Sequence, residues 1–217
     1  MEESVLNVLD LIVRSRSTIL EILENRGFNV DSYKGVSPDE VFKFATTSYD
    51  LLTINATHKE ETERKCHVIY WVESSVRLRL ESLLTKLWPT SENASPYNSA
   101  TDEFLFILNE PVNDAFHHAV IYQWNIHKAR ISFFNIKNLI SNPAHHYMVP
   151  PHRKLRPDEV DTVIHGLRLK SRAELPHIKF HFDMQARVLG LVPGDIVQIT
   201  RPSETAGTYT LYRVCAV

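Results

Sequence analysis

The sequence predicts an α/β unit followed by a small α+β unit. Strand-like and helix-like segments alternate over residues 66–134, Asn142-Pro143 is a natural boundary, and two strand-like segments close the chain. The first unit is therefore expected to span residues 1–142 and the second residues 143–217. A length of 217 residues is sufficient for two domains, and a hydrophobic content of 43% is typical of a globular chain.

The charge distribution argues against a free-standing DNA-binding protein. The net charge is −2, but ten Lys and Arg stand against seven Asp and Glu from Pro143 onward. The part before Pro143 therefore holds fourteen basic and nineteen acidic residues, so the halves carry about +3 and −5. Neither half has the concentrated basic face that grips phosphates.

The two cysteines and the first residues limit other classes of function. Cys66 and Cys215 are far apart and no CxxC pair occurs, which favours neither a disulfide framework nor a cysteine zinc site. The acidic start MEESVLNVLD is unlike a secretory signal, and no apolar run has the length of a membrane span. We expect a reducing compartment and no membrane partner.

Two helices are predicted at the start of the first unit. Apolar residues recur three and four apart over residues 5–26 and stop at Gly27, which is typical of an amphipathic helix. We interpret its apolar stripe as core packing, in preference to a surface for a partner helix. Ser37-Pro38-Asp39-Glu40 forms a capping box that predicts a second helix ending at Ala45 or Thr46.

The rest of the first unit is predicted to be a sheet with helical crossovers. Residues 51–54 and 66–72 read as strands joined by the charged residues 58–65, and a helix starts at Ser74 or Ser75 and ends before Pro89. The polar residues 89–101 are interpreted as a mobile surface insertion. In order, the remaining elements are a buried strand at 104–108, a helix at 113–123, a strand at 131–134 and a short helical piece at 137–140.

The second unit is predicted to be a small module with a modest core. Strand-like residues 145–149 are followed by a short helix over 157–164, irregular residues 171–178, and a helical turn over 184–189 capped by Asp183. A module of this size has little apolar surface to bury, so we expect it to rely on a neighbour for stability.

Residues 191–217 predict two antiparallel strands that close the chain. The first strand contains Ile196, Val197 and Ile199, and residues 201–207 form a polar connection of seven residues. Gly207 is expected to adopt a positive φ where the chain re-enters the ladder, and Pro202 cannot donate to that ladder. A loop this polar is either solvated or held by a partner, so we interpret it as a presentation loop.

The string RPSETAG, followed by an aromatic strand ending in YR, resembles the C-terminal end of the fifth subunit of eukaryotic nuclear RNA polymerases I, II and III. The same region is similar to the corresponding subunit of archaeal RNA polymerase. The likeness covers about the last third of the chain. It extends back through Asp183, Ala186-Arg187, Gly190, Gly194, Leu175-Pro176, Ile178, Val149-Pro150 and His152. Met184 departs from the family's usual proline, and Pro151 stands where an acid is common.

The resemblance implies a fold and a role. The family has an α/β jaw domain with a restriction-endonuclease-like sheet, then a small α+β assembly domain that is similar to the archaeal protein. This implies a nuclear, non-catalytic subunit of DNA-directed RNA polymerase that supports transcription. Its second domain would dock on the largest subunit among the other polymerase subunits, and its jaw would lie near downstream DNA. No cofactor, metal or small-molecule substrate is expected.

The resemblance also implies two sets of site residues. The partner-binding set is Val149, Pro150, His152, Arg201, Pro202, Ser203, Glu204, Thr205, Ala206 and Gly207. The family carries a Thr-Pro-Ser-Ala-like motif near DNA after the strand at 104–108. Here that stretch retains only the proline and the alanine of the motif. The DNA-proximal set is Pro111, Val112, Asn113, Asp114 and Ala115.

Two alternatives come from other classes of protein. Asp50, Glu63 and Lys65 form a D…ExK pattern that could place two carboxylates on Mg²⁺ in an endonuclease-like enzyme, although the pattern is short. A stand-alone protein-interaction module is the other alternative. The histidines are interpreted as surface or partly buried imidazoles. His177 and His181 are four residues apart, a spacing that converges on a metal only within a helix, and Pro176 argues against a helix there. The other close pairs are adjacent residues, which point to opposite faces of a strand.

Overall fold

The computed structural model describes residues 2–72, 76–87 and 97–217, except for the side chains of residues 2–6 and 86. The chain divides into two compact units, Met1–Asn142 and Pro143–Val217. Each unit contains a four-stranded sheet together with helices, so the prediction of a mixed α/β chain is confirmed. The predicted helix start at Ser74 or Ser75 and most of the predicted insertion at 89–101 lie outside the described residues.

The first unit is a sheet in the order β1-β2-β3-β4. Its elements are α1 (Glu2–Asn25), α2 (Asp31–Lys34), α3 (Pro38–Thr47), β1 (Ile54–Thr57), β2 (Lys65–Trp71), α4 (Val76–Leu87), β3 (Asp102–Leu108), α5 (Asp114–His127) and β4 (Arg130–Asn135). β1 is antiparallel to β2, whereas β2, β3 and β4 run parallel. Helices α4 and α5 therefore form the predicted crossovers.

The core of the first unit follows from its apolar strands. Every residue of β3 is buried, as expected for a strand that is covered on both faces. Phe104, Phe106 and Phe133 stack in a row, and Phe116 of α5 packs on Phe133 with 5.0 Å between ring centroids. The capping box of α3 is confirmed, because Ser37 and Glu40 exchange side-chain and backbone hydrogen bonds.

The predicted strand at 51–54 is wrong over most of its length. Residues Tyr49–Leu52 form a 3₁₀ turn, and the strand begins only at Ile54. Ser48 is responsible, because its hydroxyl accepts the backbone N–H of Asp50 and closes the turn locally. The apolar pattern of residues 51–54 is compatible with both a strand and a 3₁₀ turn, so it could not predict which of the two forms.

A buried ion cluster joins α1 to the sheet. The Glu103 carboxylate of β3 is bonded to Arg26, at the end of α1, and lies 3.2 Å from Arg64 Nη2. The side chains of Arg26 and Glu103 are each only 3% exposed. Burial acts to raise the pKa of Glu103, but Arg26, Arg64 and Arg130 outweigh it and hold that pKa below its ordinary value.

The second unit has the sheet order β5-β7-β8-β6. Its elements are β5 (His152–Lys154), α6 (Pro157–Gly166), β6 (His177–Lys179), α7 (Met184–Val188), β7 (Ile196–Ser203) and β8 (Gly207–Ala216). β7 is antiparallel to both β5 and β8, and β6 is parallel to β8. A core of its own joins α6 to the sheet through Leu155, Val160, Leu175, Ile196 and Val214.

Local signals located the helices of this unit better than its edge strands. Asp183 caps α7 as predicted, accepting the N–H groups of Gln185 and Ala186. The predicted strand at 145–149 is wrong, because Pro143–His145 is a 3₁₀ turn and Val149 N–H closes a further turn on His146 O. Residues 171–178 are not wholly irregular, since they end in the start of β6. The pairing of β6 with distant β8 decides its conformation.

We predict that Glu103→Gln lowers the free energy of unfolding at pH 7 by about 3–5 kcal/mol, since it leaves buried arginines without their counter-charge. The loss should shrink under acid. A carboxyl whose folded pKa is depressed stabilises the fold above its unfolded pKa, and that contribution disappears as the pH falls through the folded pKa. Urea titrations of both chains from pH 7 to pH 3 measure this. The exposed control Glu60→Gln should leave the pH profile unchanged; parallel profiles for Glu103→Gln and the native chain would contradict the prediction.

Candidate docking surface

The predicted seven-residue connection is wrong, because the two closing strands pair almost to the tip. β7 continues to Ser203 and β8 begins at Gly207, which leaves Glu204, Thr205 and Ala206 as the connection. Arg201 lies opposite Tyr209 and Pro202 opposite Thr208. The structure therefore presents a paired β-ribbon with a short turn, and most of the predicted loop belongs to its strands.

The turn at the tip is closed by its own hydrogen bonds. Ser203 Oγ accepts the N–H of Ala206 at 3.3 Å, and Thr208 N–H donates to Ala206 O at 2.8 Å. Gly207 has the predicted positive φ, of 71°. This geometry needs no partner, so the tip is already shaped in the isolated chain.

Pro202 fits within the ladder because of the direction in which its nitrogen points. Thr200 N–H donates to Pro151 O at 3.0 Å, on the side of β7 that faces away from β8. Residues two apart on a strand direct their backbone groups to the same side. The Pro202 nitrogen therefore points away from β8, where the absence of an N–H breaks no bond between the two strands.

Strand β5 brings the two halves of the predicted partner-binding set together. His152 lies opposite Ile199, and the bond between Thr200 N–H and Pro151 O places the preceding residues beside the base of the ribbon. His152 is half-buried, with its Nδ1 2.6 Å from Pro150 O. Pro151 and His152 thus lie directly beside β7, and Val149 and Pro150 precede them in the chain.

One face of the ribbon runs from the core into solvent. Ile199 and Leu211 form one cross-strand pair, and Arg201 and Tyr209 form the next pair on the same face. Exposure increases along this row: Ile199 is 2% exposed, Leu211 is half-buried, and Tyr209 is 56% exposed. We call His152, Arg201, Tyr209 and Leu211, with the turn 204–206, the docking surface.

The predicted site set lacks the aromatic and apolar members of this surface. Tyr209 and Leu211 could have been found from alternation alone, since they share the odd positions of β8 with buried Cys215. Tyr147 and Met148, which precede β5, are 88% and 70% exposed. Exposed side chains of this size are typical of protein interfaces.

The charges at the tip are unpaired in the isolated chain. Across the described residues, neither the Arg201 guanidinium nor the Glu204 carboxylate has a hydrogen-bond or ion-pair partner. Arg153 shows the contrasting case: its Nη1 lies 2.9 and 2.8 Å from the oxygens of Glu159, and this bonding raises the pKa of Arg153. The tip therefore offers one free cation and one free anion to a partner.

The predicted DNA-proximal residues lie where β3 passes into α5. Pro111, Asn113 and Asp114 are exposed, and Val112 and Ala115 are half-buried. Asn113 caps α5, because its Oδ1 accepts the N–H of Ala115 at 3.2 Å. Helix capping explains the local conformation of this stretch, and a contact with DNA stays a prediction.

The structure separates the three residues of the nuclease alternative. Asp50 lines the same cavity as Tyr70 and Trp71, at the carboxyl end of β2, whereas Lys65 begins that strand and Glu63 precedes it. About five residues of extended strand, or roughly 17 Å, separate the two groups. A single Mg²⁺ cannot bind both carboxylates.

The described part of the chain contains neither a cluster of metal ligands nor a membrane-spanning helix. Its histidines, cysteines and acids include no group of three that could hold a metal ion. His177 is exposed on β6 while His181 is buried. None of the helices within residues 2–72, 76–87 and 97–217 has both the length and the apolarity of a membrane span.

Together these features define a mixed α/β protein whose second unit carries a paired β-ribbon with a short, exposed turn. Residues 141–215 match the family model described as RNA polymerase Rpb5, C-terminal domain. The chain is 25% identical over 208 residues to DNA-directed RNA polymerases I, II, and III subunit rpabc1 of Dictyostelium discoideum, covering 95% of this chain and 98% of that one. It is 24% identical over 209 residues to the corresponding subunit of Caenorhabditis briggsae, covering 93% of each chain.

A shorter archaeal relative has a higher identity to this chain. DNA-directed RNA polymerase subunit Rpo5 of Pyrococcus abyssi is 44% identical over 69 residues, which are 32% of this chain and 82% of that protein. The chain belongs to the Rpb5 family of RNA polymerase subunits.

We predict that Arg201→Ala and Glu204→Ala each change the free energy of unfolding of the isolated full-length chain by less than about 0.5 kcal/mol. Both side chains are exposed and make no internal bond that could be lost. Chemical denaturation followed by circular dichroism measures this. Val214→Ala, in the core of the same unit, should cost about 1–3 kcal/mol as the positive control. A loss of that size for Arg201→Ala would mean that the tip braces the fold.

Proposed function

We propose that this chain is a non-catalytic subunit of a nuclear DNA-directed RNA polymerase and that its second unit is the assembly domain. The observation that carries the proposal is the docking surface, where a free cation, a free anion and exposed Tyr209 lie on a preformed ribbon. The relatives named above are subunits of DNA-directed RNA polymerases. The docking partner in this proposal is the largest subunit.

The archaeal relative supports an assembly role for residues 143–217. The matched 69 residues make up 82% of the Pyrococcus abyssi protein, and this length is close to that of residues 141–215, which match the family model. We infer that the two chains share this unit and that a function common to both lies in it. The unit also has its own hydrophobic core, which allows it to hold the docking surface in place.

The first unit is proposed to form part of the lower jaw, near downstream DNA. Parallel strands β2–β4 with helical crossovers and the antiparallel strand β1 are compatible with a restriction-endonuclease-like sheet. With about five more acidic than basic residues, this unit has no excess of positive charge to hold DNA by itself. Residues Pro111–Ala115 would lie near DNA because the whole complex positions them.

We predict that Pro143–Val217 expressed alone associates with the polymerase. The fragment should first show a cooperative thermal transition, since it retains its whole sheet and core. It should then be recovered with the very large polymerase subunits from cell extract in stoichiometric amount, whereas residues 1–142 should not. The opposite pattern would assign assembly to the first unit, and recovery of neither fragment nor full chain with polymerase would favour a stand-alone interaction module.

We predict that Arg201→Ala in the full-length chain weakens its association with polymerase by about 2–5 kcal/mol, the cost of truncating one member of a desolvated charged pair. A pair that stayed exposed to solvent would cost only about 0–1 kcal/mol. Retention of tagged chain on purified polymerase is measured at increasing salt. Arg172→Ala is the matched control, because Arg172 is an exposed arginine of the same unit outside the docking surface. Equal retention of both variants would remove Arg201 from the interface.

A further inference from the structure

The outer edge of β8 is open over most of its length. β8 has ten residues, and β6 pairs only with Val214, Cys215 and Ala216. Among the described residues, no strand lies beside the remaining part, from Gly207 to Arg213, on the side away from β7. Thr208, Tyr209 and Thr210 are exposed, so no other segment of the described chain covers them.

The backbone groups that point to this edge can be identified. Val214 N–H donates to Pro176 O at 2.9 Å, away from β7. Because the direction alternates along a strand, the backbone groups of Tyr212 and Thr210 point the same way. Neither of these two N–H groups has a hydrogen-bond partner within residues 2–72, 76–87 and 97–217. The N–H of Thr208 is already used, since it donates to Ala206 O.

A proline ends the pairing of β6 with β8. In a parallel ladder that continued toward the tip, residue 176 would donate its N–H to Tyr212 O, given that His177 lies opposite Val214. Pro176 has no N–H to donate. The open edge therefore begins at Tyr212, directly in line with β6.

The two outer edges of the ribbon differ in how well they are protected from pairing with another strand. On β7, strand β5 covers the edge up to Thr200, and Pro202 then presents no donor. On β8, residues 208–212 read Thr-Tyr-Thr-Leu-Tyr, which are strand-forming and uncharged, with no proline. Native proteins usually blunt a free edge with charge, proline or a bulge, because it otherwise pairs with another chain. Only one of these two edges is blunted.

We propose that the edge of β8 from Thr208 to Tyr212 binds an extended segment of another polymerase subunit, which joins the sheet as a strand in line with β6. The inference rests on the proposed function, because the partner strand belongs to the polymerase. The edge borders the docking surface, since Leu211 and Tyr209 lie on the same stretch of β8. Such strand addition takes its affinity from backbone hydrogen bonds to Thr210 and Tyr212, and its specificity from alternate side chains.

The partner segment has a definable chemistry. It needs about four to five extended residues to span the open edge. It requires free N–H groups where it faces Thr210 and Tyr212, which excludes proline there. Its side chains on the face of Leu211 and Tyr209 should be apolar, to continue the row that leads out of the core.

Amide hydrogen exchange tests the proposal on the full-length chain, first alone and then within purified polymerase. In the free chain, Thr210 and Tyr212 should exchange rapidly, whereas Leu211 and Arg213, which bond to β7, should exchange slowly. In the complex, Thr210 and Tyr212 should slow by about a hundredfold or more. Contact through side chains alone does not protect alternate amides. Rapid exchange of both residues in the complex would overturn the proposal.

A variant pair supplies an independent measurement. Thr210→Pro removes an outward-pointing N–H that β7 does not use, and should reduce retention on polymerase at least about tenfold. Thr210→Val keeps the N–H and should be retained like the native chain. Equal retention of the two variants would contradict strand addition. If Thr210→Pro lowers the melting temperature of the free chain, its retention is not interpreted. The amide exchange of Thr210 and Tyr212 in the native chain then decides whether a strand is added.

The outcomes separate this inference from the proposed function. If the chain co-purifies with polymerase and depends on Arg201, but Thr210 and Tyr212 remain unprotected, the function stands and strand addition is wrong. If the chain does not co-purify with polymerase, the proposed function fails instead. Protection that appears in the free chain and grows with its concentration would assign the edge to a second copy of this chain, which overturns the proposal.

Discussion

The antiparallel pairing of β7 with β8 is the constraint on which the second unit depends. The direction of the backbone N–H and C=O groups alternates along β8. The groups of odd-numbered residues point to β7 and those of even-numbered residues point to the outer edge, as the bond from Val214 N–H to Pro176 O shows. The same alternation places Ile199 in the core and Arg201 on the exposed continuation of that face. Because a one-residue slip would exchange the two faces, core packing at Ile196 and Val214 also sets the position of every group at the tip.

Two prolines are tolerated in this sheet because of that register. Pro202 faces outward on β7, and Pro176 lies where β6 leaves β8, so neither removes a bond between β7 and β8. Each proline nevertheless affects an outer edge. Pro202 removes a hydrogen-bond donor from the edge of β7, whereas Pro176 ends the pairing of β6 with β8 and leaves the edge of β8 unpaired. Backbone donors are thus distributed unequally on a ribbon whose side chains alternate regularly.

The first unit is stabilised by a different kind of interaction. Glu103 lies in a fully buried strand and holds Arg26 and Arg64 from two other segments. A buried carboxylate is tolerated only where nearby cations replace its hydration, and here they outweigh the effect of burial on its pKa. The cluster ties the end of α1 to the sheet, and its central carboxylate is buried, so its main role is in the fold.

The sequence by itself determined the mixed α/β class, the capped starts of α3 and α7, the buried strand β3, and the family resemblance in RPSETAG. Each depends on residues close together in the chain, such as Ser37 with Glu40 or Asp183 with Ala186. Only the tertiary structure decided the short strand β6, the extension of β7 to Ser203, and the pairing of His152 with Ile199 at the base of the ribbon. These features depend on hydrogen bonds between segments distant in sequence, and no local preference of three to five residues can specify such a partner.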